Sequence, residues 1–262
     1  MGLFRALTIG AFILLVPLAI VTTNIRIAIS EKAVYDYSVR HYGAERASGI
    51  SEAELIFANG QINDYLVHER SGALSITVID QADDAVPLFN IRETAHMADV
   101  RDLVQVLFGV QIVAVGVLIG LAVMMLVLWP PRALAAAALY GSVLTAIILG
   151  LASMIAMSGF DAAWSQFHVV AFANDFWELD PDTDHLIQMF PEAFWFDVTM
   201  MIGVGTLFEA VLISGASVGY LVLSRPREEP RELSEPRPSL PRPELAAHPP
   251  RIAPPDPRHY LR

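Results

Sequence analysis

Four long apolar runs constrain this chain more than any other feature: Leu7 to Thr23, Leu103 to Trp129, Ala133 to Met157 and Val198 to Leu223. A helix rises about 1.5 Å per residue and the hydrocarbon core of a bilayer is about 30 Å thick, so each run is long enough to cross it, the first with least to spare. Composition agrees, with 54% hydrophobic and 17% charged residues and a mean hydropathy of +0.48. The first run, with Arg5 before it and small residues after it, has the outline of a signal peptide. It is long for one, and no clean A-x-A site follows. Retained, it gives four spans and both termini on one side.

Positive charge then chooses the side. Lys and Arg near membrane ends stay in the cytoplasm. The turn between spans two and three, WPPR, holds Arg132, and the tail carries eight Arg starting with Arg225. The ninety-two residues between those two arginines contain neither Lys nor Arg. The segment from Arg26 to Asp102 holds seven basic residues, but a loop this long translocates largely regardless of its charge. Both termini are therefore expected in the cytoplasm, and the two loops outside. The net charge of −11 is a poor match for nucleic acid, whose phosphates need Lys and Arg. With no Cys in the chain, disulfides, thiolate catalysis and Cys metal sites are excluded.

The expected fold is an α-helical integral membrane protein with four transmembrane helices, a small extracytoplasmic α+β cap and a disordered C-terminal tail. Its parts are helix 1 in residues 1–25, the cap in 26–102, helices 2 and 3 in 103–157, an interfacial or re-entrant loop in 158–197, helix 4 in 198–223 and the tail in 224–262. Within the cap, SEAELIFANGQINDYL opens with Ser51 and Glu54 in a capping-box arrangement and continues at helical spacing. After Ser71 and Gly72, ALSITVID reads as a strand, and Ala85 to Phe89 as a second, held to an edge by Pro87. NIRETAHMADVRDL runs into span two with no Gly or Pro to stop a helix. Eleven of the seventeen Pro fall in the tail, a composition that builds no core.

Two clusters carry chemistry. On a helix, Arg92, His96 and Asp99 fall at i, i+4 and i+7, with Glu93 three residues before the histidine. Carboxylates beside an imidazole raise its basicity and fix its orientation, as a general base near neutral pH requires. The bland alternative is a set of charges solvating a helix end. The second cluster has Trp164, His168 and Asp175 on one face if the segment is helical, with Asn174, Trp177, Asp180 and Asp184 close by and Phe167, Phe172 and Phe176 among them. Here the alternative is an aromatic belt at headgroup level. Both clusters adjoin the end of a span on the same side of the membrane, where they can form one polar pocket for the ester region of a lipid.

RETAHMADV from Arg92 to Val100, then FHVVAFANDFW and DPDTDHLIQMFPEAFW, resemble the signature blocks of the bacterial lipoprotein intramolecular transacylase family. The resemblance implies an enzyme of the bacterial plasma membrane, acting on diacylglyceryl-modified lipoproteins among membrane lipid. The sn-2 acyl chain would move to the α-amine of the substrate's own N-terminal Cys, giving a lyso-form lipoprotein. It carries the two family histidines to His96 and His168, and the accompanying motif residues to Glu93, Asp99, Asn174, Asp175 and Trp177. Either histidine can then take the amine proton, with Asn174, the Trp177 indole, Arg92 or the other histidine as oxyanion donors. No cofactor and no metal are required, and the oligomeric state is left open.

Other readings stand beside this one. Ser165, three residues before His168, suggests an acyl-enzyme mechanism, although an i, i+3 pair on one helix aligns poorly. His96, His168 and nearby acids suggest a metal-dependent hydrolase, without a compact ligand motif. The Pro-Arg tail suggests a non-catalytic adaptor. Glu209, near the middle of span four, is expected to pair with a polar group such as Gln105, Gln111 or Tyr140.

Overall fold

A computed structural model describes residues 2–68 and 72–225. Except for its first two residues, the tail lies outside the described residues. The elements are α1 (Gly2–Ser30), α2 (Lys32–His41), α3 (Ala44–Ser48), α4 (Glu52–Val67), β1 (Thr77–Ile79), β2 (Ala85–Pro87), α5 (Ile91–Leu128), α6 (Pro131–Ser158), α7 (Phe160–Ala171), α8 (His185–Met189) and α9 (Glu192–Leu223). Among them α1, α5, α6 and α9 are the four long and apolar enough to cross a membrane.

Each of these four helices covers one of the apolar runs, α5 stopping one residue short of Trp129, and extends past at least one end of it. In α5 the excess is large: 38 residues make a rod of about 57 Å, well beyond a core of about 30 Å. Its polar front, Ile91 to Asp102, precedes the apolar run and stands clear of it as about 18 Å of continuous helix. In the most apolar stretch of α5 only 11% of the residues are buried, so that surface faces lipid. Packing between membrane helices then relies on close backbone approach at small residues and on a few polar contacts.

Helix α1 packs against the other three spans. A Cβ at Gly141 would stand 2.7 Å from the Val16 Cβ, and one at Gly205 would stand 2.6 Å from Asn24 Oδ1, so these two glycines are the notches into which α1 settles. The second notch sets the partner of Glu209. Its Oε2 accepts from Asn24 Nδ2 at 3.1 Å, which corrects the expectation of a partner on α5 or α6. Gln105 is committed to the Leu66 carbonyl at 2.8 Å, Gln111 bonds Thr23 and Arg26, and Tyr140 is exposed. On the side away from the cap, Arg132 donates to the Leu221 carbonyl and to Ser224 Oγ at 3.1 and 2.8 Å. A cation thereby satisfies the carbonyl end of α9.

The cap is α+β. Ser51 Oγ accepts the Glu54 N–H at 3.3 Å to start α4. The Glu54 carboxylate does not reach back as a capping box would. It accepts the Ile79 N–H at 3.1 Å and so holds the hairpin onto α4. Strands β1 and β2 pair antiparallel with Val78 opposite Val86, and in a two-stranded sheet Pro87 is necessarily on an edge. Tyr35, Leu55, Ile62, Tyr65 and Leu88 form a core continuous with Met97 of α5, Met189 of α8 and Phe194 of α9. Two further ties fix the cap to the spans. Asp197 Oδ2 on α9 accepts from Tyr37 and Tyr42 at 2.6 and 2.5 Å. Arg101 of α5, only 6% exposed, donates to the Gly72 carbonyl at 2.6 Å.

Gly141→Leu should lower stability by about 1–3 kcal/mol, the usual range for overpacking, whereas Gly116→Leu, which meets nothing within 4 Å, should be neutral. Thermal unfolding of the purified protein in detergent checks this, and equal melting temperatures for the two variants would contradict the α1 notch.

Candidate active site

The site is built from the protruding front of α5 and from the chain between α6 and α9. Asn90 opens α5 with a full capping box. Its side chain accepts the Glu93 N–H at 3.0 Å and the Glu93 carboxylate accepts the Asn90 N–H at 2.7 Å. The other carboxylate oxygen accepts the Leu186 N–H at 2.7 Å, and the residue is 1% exposed. Glu93 therefore ties the start of α8 to the start of α5. One helical turn later comes His96.

Helix α7 supplies the second imidazole. His168 Nδ1 lies 2.8 Å from the Trp164 carbonyl, and a carbonyl only accepts, so Nδ1 carries the hydrogen and Nε2 keeps its lone pair. The His96 and His168 ring centroids are 5.9 Å apart. Each residue is 7% exposed. Around them stand Phe172, at 5.1 Å from His96 and 5.6 Å from His168, Trp177 at 5.0 Å and Trp164 at 4.6 Å from His168. Trp195 of α9 stacks on Trp164 at 5.1 Å and backs the second ring. Burial pushes His168 below the ordinary imidazole range, opposed by its bond to the Trp164 carbonyl, which favours the neutral, basic form of the ring. The Nδ1 atom of His96 is buried with no hydrogen-bond partner among the described residues.

The loop after α7 crosses the pair and is fastened to α5 at two points. Asn174 Nδ2 donates to Asp99 Oδ2 at 2.9 Å. Arg92 donates to the Asp175 carbonyl and stands 3.7 Å from its carboxylate. The Trp177 indole N–H donates to the Asn174 carbonyl at 3.0 Å, which turns the indole across His168.

Of Arg92, Glu93, His96, Asp99, His168, Asn174, Asp175 and Trp177, all but Glu93 thus converge here. Glu93 lies just behind, serving helix α8. The structure also revises how several of them work. Helix α7 ends at Ala171, so Asp175 does not share a helical face with Trp164 and His168 and reaches the site through the loop. Neither Glu93 nor Asp99 hydrogen-bonds His96, because Glu93 is taken by backbone amides and Asp99 by Asn174. The site is governed by burial rather than by His–carboxylate pairs. Of the donors expected at an oxyanion, Asn174 Nδ2 is used on Asp99 of α5 and the Trp177 indole N–H inside the loop. Ser165 is exposed and makes no hydrogen bond to His168 among the described residues, where no group of three acidic or imidazole side chains is arranged to hold a metal ion. Sequence reasoning missed Asn90 and Trp195. The first had a readable signal, Asn90 and Glu93 at capping-box spacing.

Asp99→Ala should free the Asn174 end of the loop. Losing one hydrogen bond of about 1 kcal/mol should speed amide exchange over residues 173–178 about fivefold. Unchanged exchange there would show that the loop is held without that contact.

A family model described as lipoprotein intramolecular transacylase Lit matches residues 10–195. Among solved structures, the in meso structure of the membrane integral lipoprotein intramolecular transacylase Lit from Bacillus cereus is similar, with a TM-score of 0.72 and 20% identity, over 85% of this chain and 98% of that one. A histidine-to-alanine variant of the Bacillus cereus protein matches with a TM-score of 0.70 and 19% identity, over 85% of this chain and 95% of that one. Likeness at this identity is likeness of fold. A comparison with curated proteins finds no match.

Proposed function

The chain belongs to the lipoprotein intramolecular transacylase family, membrane acyltransferases, and on that premise we propose that it moves the sn-2 acyl chain of a diacylglyceryl lipoprotein onto the α-amine of the substrate's N-terminal Cys. The observation that carries this reading is the approach of two buried imidazoles to 5.9 Å, beside a helix that continues directly into an apolar span. A lipid-anchored substrate can keep its acyl chains in the bilayer while its ester and amine reach that point.

The α-amine has an ordinary pKa of about 7.7–8.0, so a minor neutral fraction attacks at about pH 7, and a base that takes the proton nitrogen sheds as it bonds to the ester carbon helps directly. His168 suits that role, since its Nδ1–H is committed to Trp164 and its Nε2 is an acceptor. As nitrogen bonds to the ester carbon, the carbonyl oxygen takes negative charge. His96 offers a ring N–H there in a setting poor in water, where such a donor counts most. Collapse breaks the bond to the glyceryl oxygen, and the His168 imidazolium returns the proton to it, so protons balance without a cofactor. Arg92, Asp99, Asn174, Asp175 and Trp177 hold the loop over the pair, and Glu93 holds the frame behind it. Because amine and ester belong to one molecule, near-attack geometry supplies much of the rate. The positions of Arg132 and Arg225 support a cytoplasmic side for both termini and an outward-facing site, in the bacterial plasma membrane.

His96→Ala and His168→Ala should each reduce transfer by about a hundredfold or more, and Ser165→Ala should leave it within about twofold. Mass spectrometry of lipoprotein N-termini from cells relying on this chain reads the outcome. Transfer by either His variant at the wild-type rate would overturn the reading. The pH profile gives a second check. Neutral His168 is the active form and its lowered pKa keeps it neutral below the ordinary value of about 6.5. Log kcat/KM should therefore rise with unit slope between about pH 6.5 and 7.5, from the amine alone, and steepen only at lower pH. A slope of about 1.5 already at about pH 6.5, as an imidazole of ordinary pKa would give, would contradict a depressed His168.

A further inference from the structure

We propose that the cleft between the open end of the β1–β2 hairpin and the first turn of α5 binds the polypeptide part of the substrate as an extended segment, through its main chain. This rests on the acyl-transfer reading above. The cleft has a volume of about 580 Å³ and runs from Leu74 and Ser75, past Phe89 and Asn90, to Thr94, Thr183 and His185.

Its walls are unfinished backbone. The ladder of the hairpin ends with the Leu88 N–H on the Ile76 carbonyl at 2.9 Å, and beyond it the backbone groups of Leu74, Ser75 and Phe89 make no hydrogen bond among the described residues. Unpaired strand-like backbone is what an added extended segment pairs with, and main-chain pairing is indifferent to most side chains. On the far wall, His185 Nδ1 lies 2.8 Å from the Gln188 amide oxygen, so Nδ1 is the donor and Nε2 remains an acceptor.

The electrostatics select the same ligand. Among the described residues no Lys or Arg lines the cleft, which disfavours a phosphate or a phospholipid headgroup. Glu93, the one carboxylate lining it among the described residues, already accepts two backbone N–H groups, which leaves little for a cation. A neutral polypeptide backbone fits. Position completes the argument, because Asn90 and Thr94 precede His96 by six and two residues. That is about 3–9 Å along the helix axis, away from the apolar span. An extended chain advances about 3.3 Å per residue, so the first one to three residues after the lipidated Cys cover that rise.

Two substrates decide it, a diacylglyceryl-Cys amide and a diacylglyceryl lipopeptide of ten residues, each presented in detergent to the full chain. Wild type should use the lipopeptide with a kcat/KM at least tenfold higher. Ser75→Trp and Thr183→Trp, which fill opposite walls, should each erase most of that advantage while converting the single-residue substrate within about twofold of wild type. Equal use of both substrates by wild type would overturn the proposal, as would variants that retain the advantage or lose activity toward both substrates. A wild-type chain that converts neither substrate would instead overturn the transacylase reading itself.

Discussion

The continuity of α5 across the boundary of the apolar layer is the constraint on which the site depends. A hydrocarbon interior tolerates few polar groups, so imidazole chemistry on a lipid has to sit where a span emerges. The polar front of α5 provides that place without a hinge, and its first turn is fixed by Asn90, Glu93 and the Leu186 N–H. Because Glu93 is 1% exposed and each carboxylate oxygen accepts a backbone amide, its removal would leave those amides unpaired. Through α8, this one side chain relates α5 to the start of α9, whose Trp195 backs the Trp164 that orients His168.

Burial gives the two histidines their character. Without hydrogen-bonded carboxylates, an imidazole walled in by Phe172, Trp177 and Trp164 is kept neutral by the absence of water, and the Trp164 carbonyl chooses which nitrogen of His168 stays basic. The same aromatic walls suit acyl chains and glyceryl carbons. The loop that completes them is fastened by Arg92, Asp99 and Asn174, whose contacts lie at the exposed rim.

The spans were legible because length and apolarity are local properties, and the two histidine clusters because their motif residues are close together in sequence. What could not be read was pairing over distance. Leu186 is 93 residues from Glu93, and Asn24 is 185 from Glu209. Nothing local marks Glu93 as a backbone acceptor for another helix, or tells α9 to receive α1 at Gly205. The end of α7 at Ala171 was also hidden, since no Gly or Pro follows until Pro181. A helical face extended to Asp175 was the natural reading. Ser51 and Glu54 have capping-box spacing, yet tertiary structure gave Glu54 to Ile79. At Asn90 and Glu93 the same spacing yields the complete motif.

The central claim is that His96 and His168 act on one bound molecule as a single unit. The direct test is a thermodynamic cycle of transfer rates on a purified diacylglyceryl lipopeptide, comparing His96→Ala, His168→Ala and the double variant. Groups that work together lose function non-additively, so the double variant should be no slower than the slower single variant by more than about threefold. Losses that multiply would show two imidazoles acting independently, and would contradict the shared site.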